Sequence, residues 1–211
     1  MLERIEADLH KEAIVGRERT HAPDLQVTCK CTLEEFFFGS TKTIFFTRQE
    51  VKGDGETETK MGDKKEIEIK PGMKAGHVFH FALEGNLTAN QLRGDLFVTV
   101  EELPHAKFRR EGDNLVYRHQ ISLADALTAA PIEFSTIDNE LVKFAPDEVI
   151  TPLSEKIFPL KGLPIHNDDP LAPLMMNHDR GNLILRFQIS FPNHLEETKK
   201  QRLLAVLRQA C

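Results

Sequence analysis

The chain has 211 residues, 27 basic and 33 acidic side chains, a net charge of −6 and 40% hydrophobic content. That is enough apolar material for one large core or two small ones, and no Lys/Arg run forms a phosphate-binding stripe, so nucleic acid is not an expected partner. No apolar stretch nears the roughly 18–20 residues that cross a bilayer, and Cys29, Cys31 and Cys211 make no complete disulfide set, so no membrane association and a reducing, cytoplasmic setting are expected.

Residues 1–23 place Leu2, Ile5 and Leu9 at helical spacing among Glu3, Glu6, Asp8 and Glu12. The stretch is too acidic for a transit peptide and reads as a short amphipathic helix or a frayed linker stopped near Pro23. Strands are then predicted at Leu25 to Cys31, Thr41 to Thr47, Lys65 to Ile69, His77 to Leu83 and Asp95 to Val100. Gly53, Gly55 and Gly62 punctuate a polar middle, with Gly53-Asp54-Gly55 read as a hairpin turn. A second series follows at Asn114 to Gln120, Ile132 to Ser135, Leu141 to Phe144, Ser154 to Phe158 and Asn182 to Phe191. Pro146, Pro152, Pro159, Pro164, Pro170 and Pro173 mark its turns and edges. Neither series alternates with long helices, which excludes a doubly wound parallel sheet. At the C-terminus, Asn193 three positions before Glu196 is a capping signal, and Leu203, Leu204, Val206, Leu207 and Ala210 form one apolar helical face. Such a helix, about four turns long, needs a partner for that face, either its own module or a second copy of the chain.

The two series repeat one another. Thr32-Leu33-Glu34-Glu35-Phe36-Phe37 is matched by Ser122-Leu123-Ala124-Asp125-Ala126-Leu127, each with a hydroxyl residue and an acidic residue three positions on, a helix-opening capping pattern. Arg93-Gly94-Asp95-Leu96-Phe97-Val98 is matched by Arg180-Gly181-Asn182-Leu183-Ile184-Leu185. The spacing between the two landmarks is 61 positions in the first copy and 58 in the second. Two β-rich modules in tandem are implied, at 24–103 and 104–192, before a terminal helix at 193–211.

Five strings in order carry a family resemblance: Leu33-Glu34-Glu35-Phe36-Phe37-Phe38-Gly39 with Thr41-Lys42; Lys70-Pro71-Gly72-Met73-Lys74-Ala75-Gly76; His105 with Phe108-Arg109-Arg110-Glu111-Gly112-Asp113-Asn114-Leu115; Gly162-Leu163-Pro164; and Arg180-Gly181-Asn182-Leu183. Together they resemble the C-terminal substrate-binding and dimerisation region of DnaJ-type (J-domain, heat-shock) co-chaperones over positions 24 to 210. The resemblance implies a mostly β fold, with two tandem β-sandwich-like domains, short helices and a C-terminal helix that pairs two chains. It implies no enzymatic activity and no cofactor. None of the nine histidines precedes a proline, so the His-Pro-Asp tripeptide of the J domain is not in this chain. The four Cys-x-x-Cys-x-Gly-x-Gly repeats of the zinc-binding members are also missing, which indicates the zinc-free class and no metal.

By the same resemblance, Val27, Cys29, Ile44, Phe46 and Val98, with Lys42 at the edge, line a shallow groove for apolar segments of unfolded client polypeptides. Period-two spacing independently puts Val27 with Cys29 on one strand face and Lys42, Ile44 and Phe46 on another. Alternating apolar residues describe a sealed core equally well, so exposure of these side chains decides between the two. Family members also hold the acidic tail of the seventy-kilodalton heat-shock chaperone on a lysine cluster. Here Lys42 remains, Phe45 and Leu103 stand where relatives commonly carry basic residues, and Lys60, Lys64 and Lys65 are candidate replacements. Leu203, Leu204, Val206 and Leu207 are the implied homodimer seam.

Enzyme readings fall on geometry. Glu34-Glu35, Glu101-Glu102 and Glu196-Glu197 are adjacent pairs whose side chains diverge on a strand or a helix. Gly53-Asp54-Gly55 is too short to cradle phosphate, and His77 and His80 fall on opposite faces of a strand. The expected function is therefore client binding by a dimeric co-chaperone portion. The alternative is a structural DnaJ-like dimeric subunit of a large assembly such as a ciliary radial spoke, located in the axoneme.

Overall fold

The computed structural model describes residues 21–52, 56–89, 91–166 and 179–210. The lead-in expected before residue 21, the Gly53–Gly55 turn, Pro170, Pro173 and Cys211 lie outside these residues. Contacts divide the chain into two compact units. Of the described residues, the first unit comprises those up to Cys31, in Ser40–Ile69 and in Met73–Leu103, and the second comprises Thr32–Gly39, Lys70–Gly72 and those from Pro104 on.

The first unit holds β1 (Leu25–Cys31), β2 (Ser40–Val51), β3 (Thr57–Ile69), β4 (Val78–Phe81) and β5 (Leu96–Glu102). β5 is central to a three-stranded sheet, parallel to β1 from Leu25↔Leu96 to Cys31↔Glu102 and antiparallel to β4. β2 and β3 form a separate antiparallel ribbon. Period-two alternation sends Cys29 and Cys31, Ile44 and Phe46, Ile67 and Ile69, and Leu96, Val98 and Val100 inward, where all are buried. Ribbon and sheet share this core.

The second unit contains α1 (Leu33–Phe38), β6 (Phe108–Glu111), β7 (Asn114–Ser122), α2 (Leu123–Leu127), β8 (Ile132–Ser135), β9 (Leu141–Phe144), β10 (Glu155–Phe158), β11 (Leu183–Ser190) and α3 (Glu197–Ala210). β11 lies between antiparallel β10 and parallel β7, β6 pairs β7, and β8 and β9 form a hairpin. α1 opens with the expected capping box. The Thr32 hydroxyl accepts from the Glu35 N–H at 3.4 Å, and the Glu35 carboxylate accepts from the Thr32 N–H at 2.8 Å. Although α1 follows β1 in the chain, its partners belong to the second unit: Arg110 stacks over Phe36 at 5.5 Å and Arg180 over Phe37 at 4.5 Å.

Hydrogen bonds make the internal repeat explicit. The Gly85 N–H donates to the Gly94 carbonyl and the Gly162 N–H to the Gly181 carbonyl, both at 2.8 Å. The Leu25 N–H donates to the Asp95 carbonyl at 2.8 Å and the Leu115 N–H to the Asn182 carbonyl at 2.9 Å. Asp24 Oδ1 accepts from the Asp95 N–H, and Asn114 Oδ1 from the Asn182 N–H. Each set ties the start of the parallel strand pair in its unit. The repeated glycines are required there by close approach: a Cβ on Gly94 would sit 2.5 Å from the Ala22 carbonyl oxygen, and one on Gly181 2.0 Å from that of Asp113.

Several boundaries differ from the sequence reading. β8 and β9 coincide with it, whereas β6 was not anticipated, and β2 and β3 extend well past the apolar alternation. That extension is polar and held by ion pairs: Lys52 with Glu58 at 2.7 Å, Arg48 with Asp63 at 2.5 Å and Lys60 with Asp63 at 3.0 Å. α3 starts at Glu197, one turn later than the Asn193 signal implied, with the Glu196 carbonyl accepting from the Lys200 N–H. Half-buried Leu195, just before α3, lines the same hollow as Phe191 and Leu123.

Two expected outcomes follow from these ties. Gly181→Ala is expected to destabilise the fold by about 1–3 kcal/mol through forced backbone displacement, read as a lower thermal midpoint. Glu50 accepts from two guanidinium nitrogens of Arg93 at 2.9 and 2.7 Å, and this hydrogen bonding holds its carboxyl below the ordinary value of 4.5. A lowered carboxylate contributes stability above its unfolded value, and that contribution is lost as pH falls through the folded value. Glu50→Gln should therefore flatten the stability profile below pH 4.5, measured by denaturant unfolding across pH.

Candidate functional site

The structure brings the six groove residues of the first unit together, but mostly as core. Val27 on β1 pairs with Val98 on β5 in parallel register. Val98 is fully buried, and Cys29, Ile44 and Phe46 are 3%, 7% and 9% exposed. Val27 and Lys42 are half-buried. An open groove floored by all five apolar side chains is therefore not what this fold presents. The physical reason is that Cys29, Val98, Ile44 and Phe46 all sit on the inward faces of their strands, where they are buried.

What stays open is backbone. Among the described residues, β2 pairs only with β3 and β1 only with β5, so each keeps one side without a strand neighbour. The Lys42 ammonium on β2 donates to the Lys30 carbonyl on β1 at 2.6 Å, linking the two strands. The far end of β2 is covered: the Gln49 carbonyl accepts from the Leu87 N–H at 2.9 Å, and the Gln49 N–H donates to Asn86 Oδ1 at 3.0 Å. Residues 41–47 have no strand partner on that side among the described residues. On the outward face of this stretch Phe45 is 70% exposed. From the sequence, Phe45 figures only as an aromatic where relatives commonly carry a basic residue, and its exposure is what adds it to this edge.

Charges nearby are largely committed. Lys60 pairs with Asp63, and Lys65 pairs with Glu84 at 2.6 Å while lying 4.2 Å from the Phe81 ring centroid. Lys64 is exposed opposite Phe45 in the ribbon register, and Leu103 is half-buried. His80 Nε2 meets Asp95 Oδ2 at 2.6 Å, and His77 precedes β4. The Leu83 N–H and then His80 hold the Asp95 carboxyl below its ordinary range.

In the second unit, Leu123, Ala124, Leu127, Phe191, Leu195 and Leu203 line an apolar hollow of about 440 Å³. Beside it on α3, Leu204, Val206 and Leu207 are 49%, 63% and 41% exposed, and Leu203 is half-buried. Among the described residues, the α3 face therefore finds only part of its cover.

Residues 25–192 match the family described as the DnaJ C terminal domain. The chain belongs to this family. It is 34% identical over 206 residues to DnaJ homolog subfamily B member 13 of Homo sapiens, covering 97% of this chain and 61% of that protein. It is 32% identical over 190 residues to DnaJ homolog subfamily B member 5 of Homo sapiens, covering 90% and 52%. DnaJ protein homolog 1 of Drosophila melanogaster is 31% identical over 193 residues, covering 91% and 55%. The chain thus spans between 52% and 61% of the length of these relatives. Its mostly β architecture with a terminal helix is that of a DnaJ-type co-chaperone C-terminal region.

Burial separates core from contact residues by experiment. Ile44→Ala and Phe46→Ala are each expected to cost about 2–5 kcal/mol of folding stability, measured by urea unfolding. Losses under about 0.5 kcal/mol, the range of ordinary surface changes, would mean that these side chains are open after all.

Proposed function

We propose that the chain is the client-binding portion of a dimeric DnaJ-type co-chaperone, which takes up extended apolar segments of unfolded polypeptides for transfer to a seventy-kilodalton heat-shock chaperone. Capture is by strand addition along residues 41–47 of β2, with no apolar pocket required. The observation that carries this reading is the side of β2 left without a strand neighbour, next to exposed Phe45. A client laid there forms backbone hydrogen bonds whatever its sequence, while an alternate side chain covers Phe45. Four ladder bonds at about 1 kcal/mol each and one aromatic contact at about 1.5–3 kcal/mol are set against an association cost of at least about 4 kcal/mol. The net is weak, promiscuous binding, which suits release to a second chaperone. With Lys60 and Lys65 engaged by acidic partners, the transfer step is not assigned to a tail contact at those lysines.

The second reading is a dimeric structural subunit held permanently in a larger assembly, in which Cys29, Ile44, Phe46 and Val98 serve equally as core. In that case the β2 edge is covered by a fixed neighbour and has no role in client capture.

Phe45→Asp discriminates. Its side chain supports no core contact, so the thermal midpoint is expected to stay unchanged while the chain concentration needed to suppress aggregation of an unfolded client rises about tenfold, equivalent to about 1.4 kcal/mol. Unchanged suppression would rule out the edge and favour the structural role. For the dimer, Leu204→Asp with Leu207→Asp is expected to shift the sedimenting species from dimer to monomer. A dimer that persists in this variant removes α3 as the seam.

A further inference from the structure

The two cysteines two residues apart on β1 play no part in the proposed function. Cys29 and Cys31 share its inward face, both buried, with their Sγ atoms 3.8 Å apart. The Cys31 Sγ also lies 3.9 Å from the Cys29 carbonyl oxygen. A packing role alone calls for apolar volume there, which Val or Ala supplies without a thiol.

We propose that Cys29 and Cys31 form a peroxide-oxidisable dithiol, whose closure into an intrachain disulfide bends β1. One thiolate attacks the O–O bond of hydrogen peroxide; that bond breaks, the sulfur becomes a sulfenic acid and the departing hydroxide takes a proton to leave as water. The second thiolate attacks the sulfenic sulfur, the S–O bond breaks and a second water leaves. Two thiols and one peroxide thus become one disulfide and two waters, with the sulfurs oxidised and the peroxide reduced. No third donor is at hand to make the pair a metal site, since among the described residues no three His, Cys, Asp or Glu side chains cluster.

The strand permits closure but resists it. Two extended residues span about 6.6 Å between Cα atoms, inside the roughly 4.4–6.8 Å range of disulfides, whereas the Cβ atoms must close to about 3.8 Å. That shortening puckers β1 and strains the parallel pairings Cys29↔Val100 and Cys31↔Glu102. A strained disulfide is readily reduced, so the change is reversible. Burial keeps peroxide out of the closed state, so oxidation proceeds through transient openings of β1, which among the described residues has β5 as its one strand partner. The consequence for client capture rests on the proposed function, because β1 adjoins the β2 edge through the Lys42 bond.

The test uses the full chain with Cys211→Ser, so that the pair supplies its only thiols. The reduced protein is incubated natively with hydrogen peroxide, then denatured and alkylated. The expected result is loss of both alkylatable thiols, an intact mass lighter by two hydrogens and recovery of both thiols on dithiothreitol. Further variants carrying Cys29→Ser or Cys31→Ser should yield no such lighter species. The oxidised form should melt at least about 2 °C lower, a shift equivalent to destabilisation on the order of 0.5–1 kcal/mol for a chain this long. Two thiols still fully alkylatable, or masses that only gain oxygen, would overturn the disulfide. An unchanged melting midpoint would overturn the bending of β1. Neither readout involves a client, so failure here is distinct from failure of the capture reading.

Discussion

Both units depend on one constraint: the first and last long strands of each module must run parallel and side by side. β1 on β5 and β7 on β11 satisfy it with the same small set of backbone bonds. Parallel neighbours cannot be joined by a tight hairpin, so the intervening chain must leave the sheet and return. In the first module that excursion carries α1, the β2–β3 ribbon and then β4; in the second it carries α2, the β8–β9 hairpin and β10. The glycines at 94 and 181 let the chain pass within a Cβ's reach of the preceding backbone, and a side chain there would separate the two strands.

This arrangement determines where binding can occur. β5 and β11 have neighbours on both sides and are shut off as templates, whereas among the described residues β1 and β2 each have no strand neighbour on one side. The inward faces of β1, β2 and β5, with Ile67 and Ile69 of β3, are needed as the core of a small unit. Apolar side chains and an accessible edge therefore coexist on the same strands with different duties: the former fix the strand, and the backbone and Phe45 face outward. Sheet edges of this kind are usually protected in natural proteins. Here the protection is partial, from the loop bonded to Gln49 at one end and the Lys42 ammonium at the other.

Much of the fold was legible because strand alternation and capping boxes are local. Ile132 to Ser135 and Leu141 to Phe144 emerged with their observed ends, and the Thr32 and Ser122 caps form as their spacing demanded. The repeat was visible through Arg93-Gly94 and Arg180-Gly181, since close backbone approach admits few residue types. What stayed hidden depends on distant partners. The polar strand around Thr57 to Lys64 has no apolar period and exists through ion pairs with β2 and its neighbours. α1 is read from local sequence, but its membership of the second unit depends on Arg110 and Arg180 far along the chain. For the candidate site, alternation correctly placed Ile44 and Phe46 on one face and could not say that this face is sealed, because a period identifies a side and carries no information about what covers it.

The central claim is that polypeptide is held by the backbone edge of β2. Amide hydrogen exchange of the chain with and without an excess of an unstructured, apolar client peptide tests it residue by residue. The account predicts new protection concentrated at residues 41–47, with little change at the already buried amides of β5. Protection confined to the second unit, or a binding peptide that leaves the β2 amides unchanged, would contradict it.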